Sequence, residues 1–214
     1  MGTFNDLLAG YRRFRSTEWA HQRARWEDFK DGQHPGVMVI ACSDSRVDPT
    51  IIFDTHPGEI FVVRNVGALV PPFETTPGLH GVSSALEFAI QILGIQEVLV
   101  MGHGLCGGCH AALTQDLHDA PPGEGGFIAG WISMLDGVRE EIIAEHGDDR
   151  SRVAGRAMEH AAVKVSLANL RTFPWIREKE ERNVLSLKGA YFAVAEGVLY
   201  LLDEQTGQFG PYEG

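Results

Sequence analysis

The chain has 214 residues, 44% of them hydrophobic, and a formal net charge of -11 at pH 7. That length supplies one substantial core, and the acidity argues against nucleic-acid or anionic-membrane partners, which need concentrated positive charge. Three cysteines are too few, and odd in number, for a disulfide framework.

Phe4, Leu7, Leu8, Tyr11, Phe14, Trp19 and Trp26 recur at helix-compatible spacing. This predicts an N-terminal helical arm over residues 1–32, packing on its own domain or on a partner subunit. The start of the arm lacks the basic patch and long apolar stretch of a secretory signal. No apolar run reaches membrane-spanning length. The expected setting is therefore a reducing cytoplasm, with no membrane partner and thiols free to bind metal.

A turn at residues 31–36 precedes a short apolar strand, Val37-Met38-Val39-Ile40-Ala41, that ends at Cys42. Asp48-Pro49 opens a short helix, with Asp as N-cap and Pro at the first helical position. Pro57-Gly58 turns into a second strand over residues 60–63, and residues 66–78 read as an irregular loop. Helical periodicity follows over residues 82–93. A third strand, Val98-Leu99-Val100-Met101, leads into His103, and a helix starts near Cys106.

After an exposed connection at residues 120–126, helices are expected over 127–146, 150–173 and 175–182. Residues 191–194 and 198–201 flank Glu196-Gly197 as a C-terminal hairpin. Strands alternating with helices predict a single α/β domain over residues 1–214, with a mainly parallel central sheet flanked by helices. Functional groups in such sheets gather beyond the carboxyl ends of the strands, where Cys42 and His103 fall.

Two thiols and one imidazole, Cys42, His103 and Cys106, can hold zinc through three protein ligands and leave a fourth position open, as in catalytic sites. Rival readings use the same residues. Cys106-Gly107-Gly108-Cys109 matches a redox dithiol, and with His110 it matches a covalent haem-attachment motif. The cysteines can also be plain buried thiols. Asp44 and Arg46, two residues apart, can form a bidentate ion pair. Paired, Asp44 stays off the metal and can accept a hydrogen bond from metal-held water. Released, it can fill the fourth position and close the site.

The motifs Ala41-Cys42-Ser43-Asp44-Ser45-Arg46-Val47, Arg64-Asn65 and His103-Gly104-Leu105-Cys106-Gly107-Gly108 closely resemble those of the β-class carbonic anhydrases. The resemblance extends from about residue 33 to residue 202. It implies one zinc per chain on Cys42, His103 and Cys106, with Asp44 and Arg46 as the catalytic pair. It also implies that carbon dioxide is hydrated to bicarbonate by hydroxide held on zinc. Gln33 matches a substrate-side glutamine that reaches the pocket across a dimer interface. Phe61, Val66 and Phe88 match an apolar wall for carbon dioxide, and the backbone near Gly104 is expected to polarise the substrate. Self-association as a dimer or tetramer is implied as well.

Two departures stand out. The bicarbonate-regulated subgroup has Trp where this chain has Val39, and Tyr where Phe192 falls, so that regulation is expected to be absent. A hydrolase of carbon disulfide or carbonyl sulfide at the same site, or a non-catalytic zinc protein, are the alternative functions.

Overall fold

The structure is a computed structural model and describes residues 2–147 and 150–214. These form two compact units, divided along the chain between His34 and Pro35. In the N-terminal unit, α1 (Phe4–Ser16), α2 (Glu18–His21) and α3 (Arg23–Phe29) follow one another. The first is started by a capping box, in which the Thr3 side chain accepts from the Asp6 N–H and the Asp6 carboxylate accepts from the Thr3 N–H. Phe14 and Phe29 pack edge-on against Trp26. Phe4, Leu7 and Tyr11 remain exposed on one face of α1.

The second unit contains β1 (Val37–Cys42), α4 (Pro49–Ile52), β2 (Ile60–Asn65), α5 (Gly81–Glu87), β3 (Glu97–His103), α6 (Gly107–Thr114), α7 (Gly126–Ile132), α8 (Asp136–His146), α9 (Arg152–Leu170), α10 (Pro174–Glu181), β4 (Ser186–Ala193), β5 (Val198–Asp203) and β6 (Gln208–Pro211). The sheet order is β2-β1-β3-β4-β5-β6. The first four strands are parallel, and β5 and β6 are antiparallel additions. β1 and β3 are buried on both faces, as parallel strands covered by helices must be.

One face of the sheet centres on Met38, Ile40, Val98, Val100, Leu167 and Phe173. A second cluster gathers Val47, Cys106, Cys109, Leu113, Leu135 and Met158 around the carboxyl end of β1. The chain leaves β1 for β2 on one side and returns to β3 on the other, so the connections diverge at the ends of β1 and β3. A crevice forms at such a switch point. Ala41 pairs with Met101, which brings the next residues, Cys42 and Gly102–His103, to the same edge.

Several expected boundaries shift. The helix over 82–93 ends at Glu87 and continues as a π-helical turn, Phe88–Ile92, closed by a bond from the Leu93 N–H to the Phe88 carbonyl. The wide turn buries Ala89 and Ile90 and turns Phe88 and Ile92 outward. The helix over 127–146 is broken by a 3-10 turn, Ser133–Leu135, where the Ser133 hydroxyl bonds back to the Gly130 carbonyl. The strand expected at 191–194 begins earlier, at Ser186, because β3 pairs along its length. β6 was not anticipated, since it is four residues long and contains Gly and Pro. Among the described residues no helix is long and apolar enough to cross a membrane.

Candidate metal centre

Cys42 closes β1, His103 closes β3, and Cys106 is the N-cap residue of α6. The ligand atoms of these three residues lie within 4.8 Å of one another, and all three residues are buried. The two Sγ atoms are 3.9 Å apart. Zinc–sulfur bonds of about 2.3 Å at a tetrahedral angle require a separation of about 3.8 Å, so the thiols fit a shared ion.

His103 Nδ1 donates to the Gly104 carbonyl at 2.9 Å, which assigns the free lone pair to Nε2. Nε2 is buried without a hydrogen-bond partner. A buried imidazole nitrogen within reach of two thiols could hold a metal ion together with them. Burial is the largest influence and lowers the imidazole pKa, but the Cys42 thiol, the Gly104 carbonyl and Asp44 together outweigh it and the net shift is upward.

The Cys42 thiol is pushed up to about 12, first by its hydrogen bond with Cys106 and then by burial. Cys106 is likewise pushed up to about 12, first by a hydrogen bond with the Cys109 thiol. Two thiols this close oppose each other's ionisation unless a cation stands between them.

The dyad forms as its spacing suggests. Arg46 Nε donates to Asp44 Oδ1 at 2.9 Å and its Nη2 to Oδ2 at 2.6 Å, a bidentate fork. The Arg46 N–H adds a bond to Oδ1, and Nη2 also reaches the Leu105 carbonyl at 3.0 Å. The hydrogen bonds from Arg46 hold the Asp44 carboxyl far below the usual carboxylate range. Asp44 is therefore engaged by Arg46, and the arrangement with Asp44 as a fourth metal ligand is not the one formed.

Arg64 fastens this loop from the adjacent strand. Its guanidinium donates to the Cys42 carbonyl (2.9 Å), the Asp44 carbonyl (2.7 Å) and Asp48 Oδ2 (2.8 Å). Asn65 closes the next loop through paired bonds with Leu69, both 2.8 Å. That loop aims the Gly67 N–H at Cys42 Sγ (3.4 Å) and presents Val66 beside α6. A side chain at Gly108 would strike Val66 at 2.6 Å, which is why α6 can begin so close to the metal loop.

On the far side, the Cys106 N–H donates to Glu159 Oε1 (3.1 Å), and the Tyr191 hydroxyl donates to Oε2 (2.8 Å). Burial raises the Glu159 pKa. This carboxylate orients the loop whose Leu105 adopts a left-handed φ of 60°.

Some expected site residues lie elsewhere or act differently. Phe61 and Phe88 pair with each other at 6.1 Å. Phe61 is in register with Met38, four residues before the Cys42–Asn65 pair, or about 13 Å back along the strand. Neither phenylalanine lines the ligand cluster of its own chain. The Gly104 N–H already donates to the Phe192 carbonyl at 2.9 Å, and its carbonyl accepts from His103. Both of its backbone groups thus have partners within the chain, and its lack of a side chain admits the Tyr191 hydroxyl. Gln33 belongs to the N-terminal unit.

Arg64 and Asn65 were visible as a motif without a role. Glu159 was missed altogether. Its signal was a charge at helical spacing between Gly155 and Val163 on the buried stripe of α9.

The Arg64 clamp can be tested directly. Arg64→Ala bares two carbonyls at about 1–3 kcal/mol each, so the melting temperature should fall by roughly 2–4 °C per kcal/mol for a chain of this size. Calorimetry checks this. Arg64→Lys, which cannot fork, should recover only part of the loss, and an unchanged melting temperature in the alanine variant would rule the clamp out.

Residues 37–199 match the family described as carbonic anhydrase. Beta carbonic anhydrase 3 of Arabidopsis thaliana is 32% identical over 202 residues, covering 94% of this chain and 78% of that protein. The solved structure of the β-carbonic anhydrase CcaA superposes with a TM-score of 0.89 at 28% identity, covering 98% of this chain and 92% of the other. One of two tetrameric β-carbonic anhydrases from Sordaria macrospora gives a TM-score of 0.80 at 25% identity, covering 93% and 96%.

Proposed function

The chain belongs to the carbonic anhydrase family, in its β class, and on that footing we propose that it interconverts carbon dioxide and bicarbonate, CO2 + H2O ⇌ HCO3⁻ + H⁺, at zinc held by Cys42, His103 and Cys106. The observation that carries the reading is the buried Cys-His-Cys group beside the Asp44–Arg46 fork. Bound zinc would supply Lewis acidity, lowering the pKa of water from about 15.7 to about 7, a value borrowed from carbonic anhydrases with three histidine ligands. Two thiolates give the ion more electron density than imidazoles do, which moves the working pKa upward and activity toward alkaline pH.

The chain's own residues do the positioning. Asp44, held ionised, accepts a hydrogen bond from the attacking water and so orients its lone pair toward carbon dioxide. Arg46 fixes Asp44 and, through the Leu105 carbonyl, ties it to the loop carrying Cys106. Val66 supplies apolar surface beside the ligands.

Gln33, Phe61 and Phe88 enter this reading through a second copy of the chain. The exposed Phe88 and Ile92, the apolar face of α1 and the tetrameric relative support self-association. Light scattering should then give at least twice the 23.5 kDa chain mass; a fully active monomer would contradict the shared pocket. The bicarbonate effect stays absent in this reading. Val39 is buried and Phe192 packs on the same apolar cluster, which supports that reading. The three free thiols support a reducing, cytoplasmic setting.

The activity itself is tested by the loss of oxygen-18 from labelled carbon dioxide in water. Chelation should slow the exchange and added zinc restore it; exchange no faster than in buffer would reject the proposal.

A further inference from the structure

One cysteine is left over by the metal set. Cys109 is buried, with 3% exposure, yet its sulfur is not among the three clustered ligand atoms. Instead Cys109 lies three residues beyond Cys106, on the first turn of α6 and in the same buried cluster. Cys106 is the N-cap of α6, and the His110 N–H donates to the Cys106 carbonyl at 2.9 Å, closing the first helical turn. Three residues along such a turn separate Cα atoms by about 5 Å. That falls within the span of about 4.4–6.8 Å that a disulfide requires.

A cleft borders the loop that carries this pair. Cys106 and Gly107 line a cleft of about 760 Å³ that also borders Arg156, Glu159 and Tyr191.

We propose that Cys106 and Cys109 form a redox pair that a peroxide-class oxidant joins as a disulfide, removing one of the three metal ligands and so switching the site off. The proposal rests on the reading of Cys42, His103 and Cys106 as the zinc set. In the first step the Cys106 sulfur attacks one peroxide oxygen, the O–O bond breaks, and water leaves after protonation, giving a sulfenic acid. In the second step the Cys109 sulfur attacks the Cys106 sulfur, the S–S bond forms, the S–O bond breaks, and the Cys109 proton leaves with the hydroxyl as a second water. Counted from a zinc-held Cys106 thiolate and a Cys109 thiol, the pair loses two electrons and one proton, solvent supplies a second proton, and the peroxide is reduced to two waters. A dithiol reductant reverses the change.

Cys42, although its sulfur is 3.9 Å from that of Cys106, is the competing partner that the ion itself engages. Cys109 is the thiol that the ion leaves unengaged. A transient, sensing disulfide of this kind is compatible with a reducing compartment.

The test treats the reduced, zinc-loaded protein with hydrogen peroxide. Zinc release is followed with a chromophoric chelator, and the bridge is mapped by peptide mass spectrometry. Wild type should release its zinc in step with a Cys106–Cys109 link, seen as a loss of about 2 Da across those peptides. A dithiol plus zinc should restore the loaded protein. Cys109→Ser should keep its zinc and activity before oxidation and release zinc at least about tenfold more slowly at the same dose. Cys109→Ala serves if the serine variant misfolds.

Equal release rates from wild type and variant would overturn the proposal, as would a Cys42–Cys106 link or zinc loss without a bridge. Reduced protein devoid of zinc would instead count against the metal reading, and the mapped bridge in that same sample reports on the dithiol independently.

Discussion

Replacing Asp44 by alanine is expected to lower carbon dioxide hydration by about 10²–10⁴-fold, the range typical of a positioned acid–base group, while zinc content stays unchanged. The two halves of this outcome have separate causes. Asp44 is not among the clustered ligand atoms, so the metal set survives its loss. Its carboxylate is the acceptor beside that set, fixed by two side-chain bonds from Arg46 and one from the Arg46 backbone.

Arg46→Ala should act in the same direction through position alone, since the guanidinium also spans to the Leu105 carbonyl. Asp44→Asn separates charge from shape: the amide fills the same space but cannot remain an anion. Because Arg46 holds Asp44 far below the usual carboxylate range, Asp44 is ionised throughout the neutral and alkaline range. A rise of activity with pH above neutrality therefore cannot come from this residue. Stopped-flow rates and metal analysis on the same samples check the prediction; full activity in the alanine variant would remove Asp44 from the mechanism.

The second large effect is at Cys106. Cys106→Ser should weaken zinc binding by more than about 100-fold, because outer-shell partners alone are worth about 10–100-fold and a hard hydroxyl replaces a soft thiolate. Activity should disappear with the metal. Cys106 sits where three supports converge: the N-cap position of α6, the Glu159 carboxylate on its N–H, and the Cys42 sulfur at 3.9 Å. A ligand that binds only the native state also stabilises it. Chelation should therefore lower the melting temperature of wild type and leave that of Cys106→Ser where it was. A variant that retains zinc at wild-type affinity would exclude Cys106 from the coordination shell.

What could be read from the chain follows from how local each signal is. Cys42 and His103 were legible because each ends an apolar run, and parallel strands align their ends. Asp44 and Arg46 were legible because a fork between residues two apart needs no distant partner. Arg64 acts across strands, from β2 onto the loop after β1, so its spacing in sequence does not reveal it. Glu159 lies 53 residues beyond the backbone N–H it receives, and its only trace is a misplaced charge on an apolar stripe.

Phe61 and Phe88 are a different case. Both were matched to a substrate wall by motif position, but strand register places Phe61 about 13 Å back from the ligands of its own chain. The π-helical turn that points Phe88 outward cannot be anticipated from a 3.6-residue period. The Gly104 backbone, expected to face substrate, is consumed by Phe192 and His103, partners that become visible only once β3 and β4 are paired.

The central claim is that a Cys-His-Cys zinc site with an anionic Asp44 beside it hydrates carbon dioxide. The most direct test is a stopped-flow hydration assay across pH on purified protein of measured metal content. The account predicts about one zinc per chain and a rate that rises above neutral pH and is lost on chelation. Zinc-loaded protein that does not accelerate hydration at any pH, or an active protein without zinc, would contradict it.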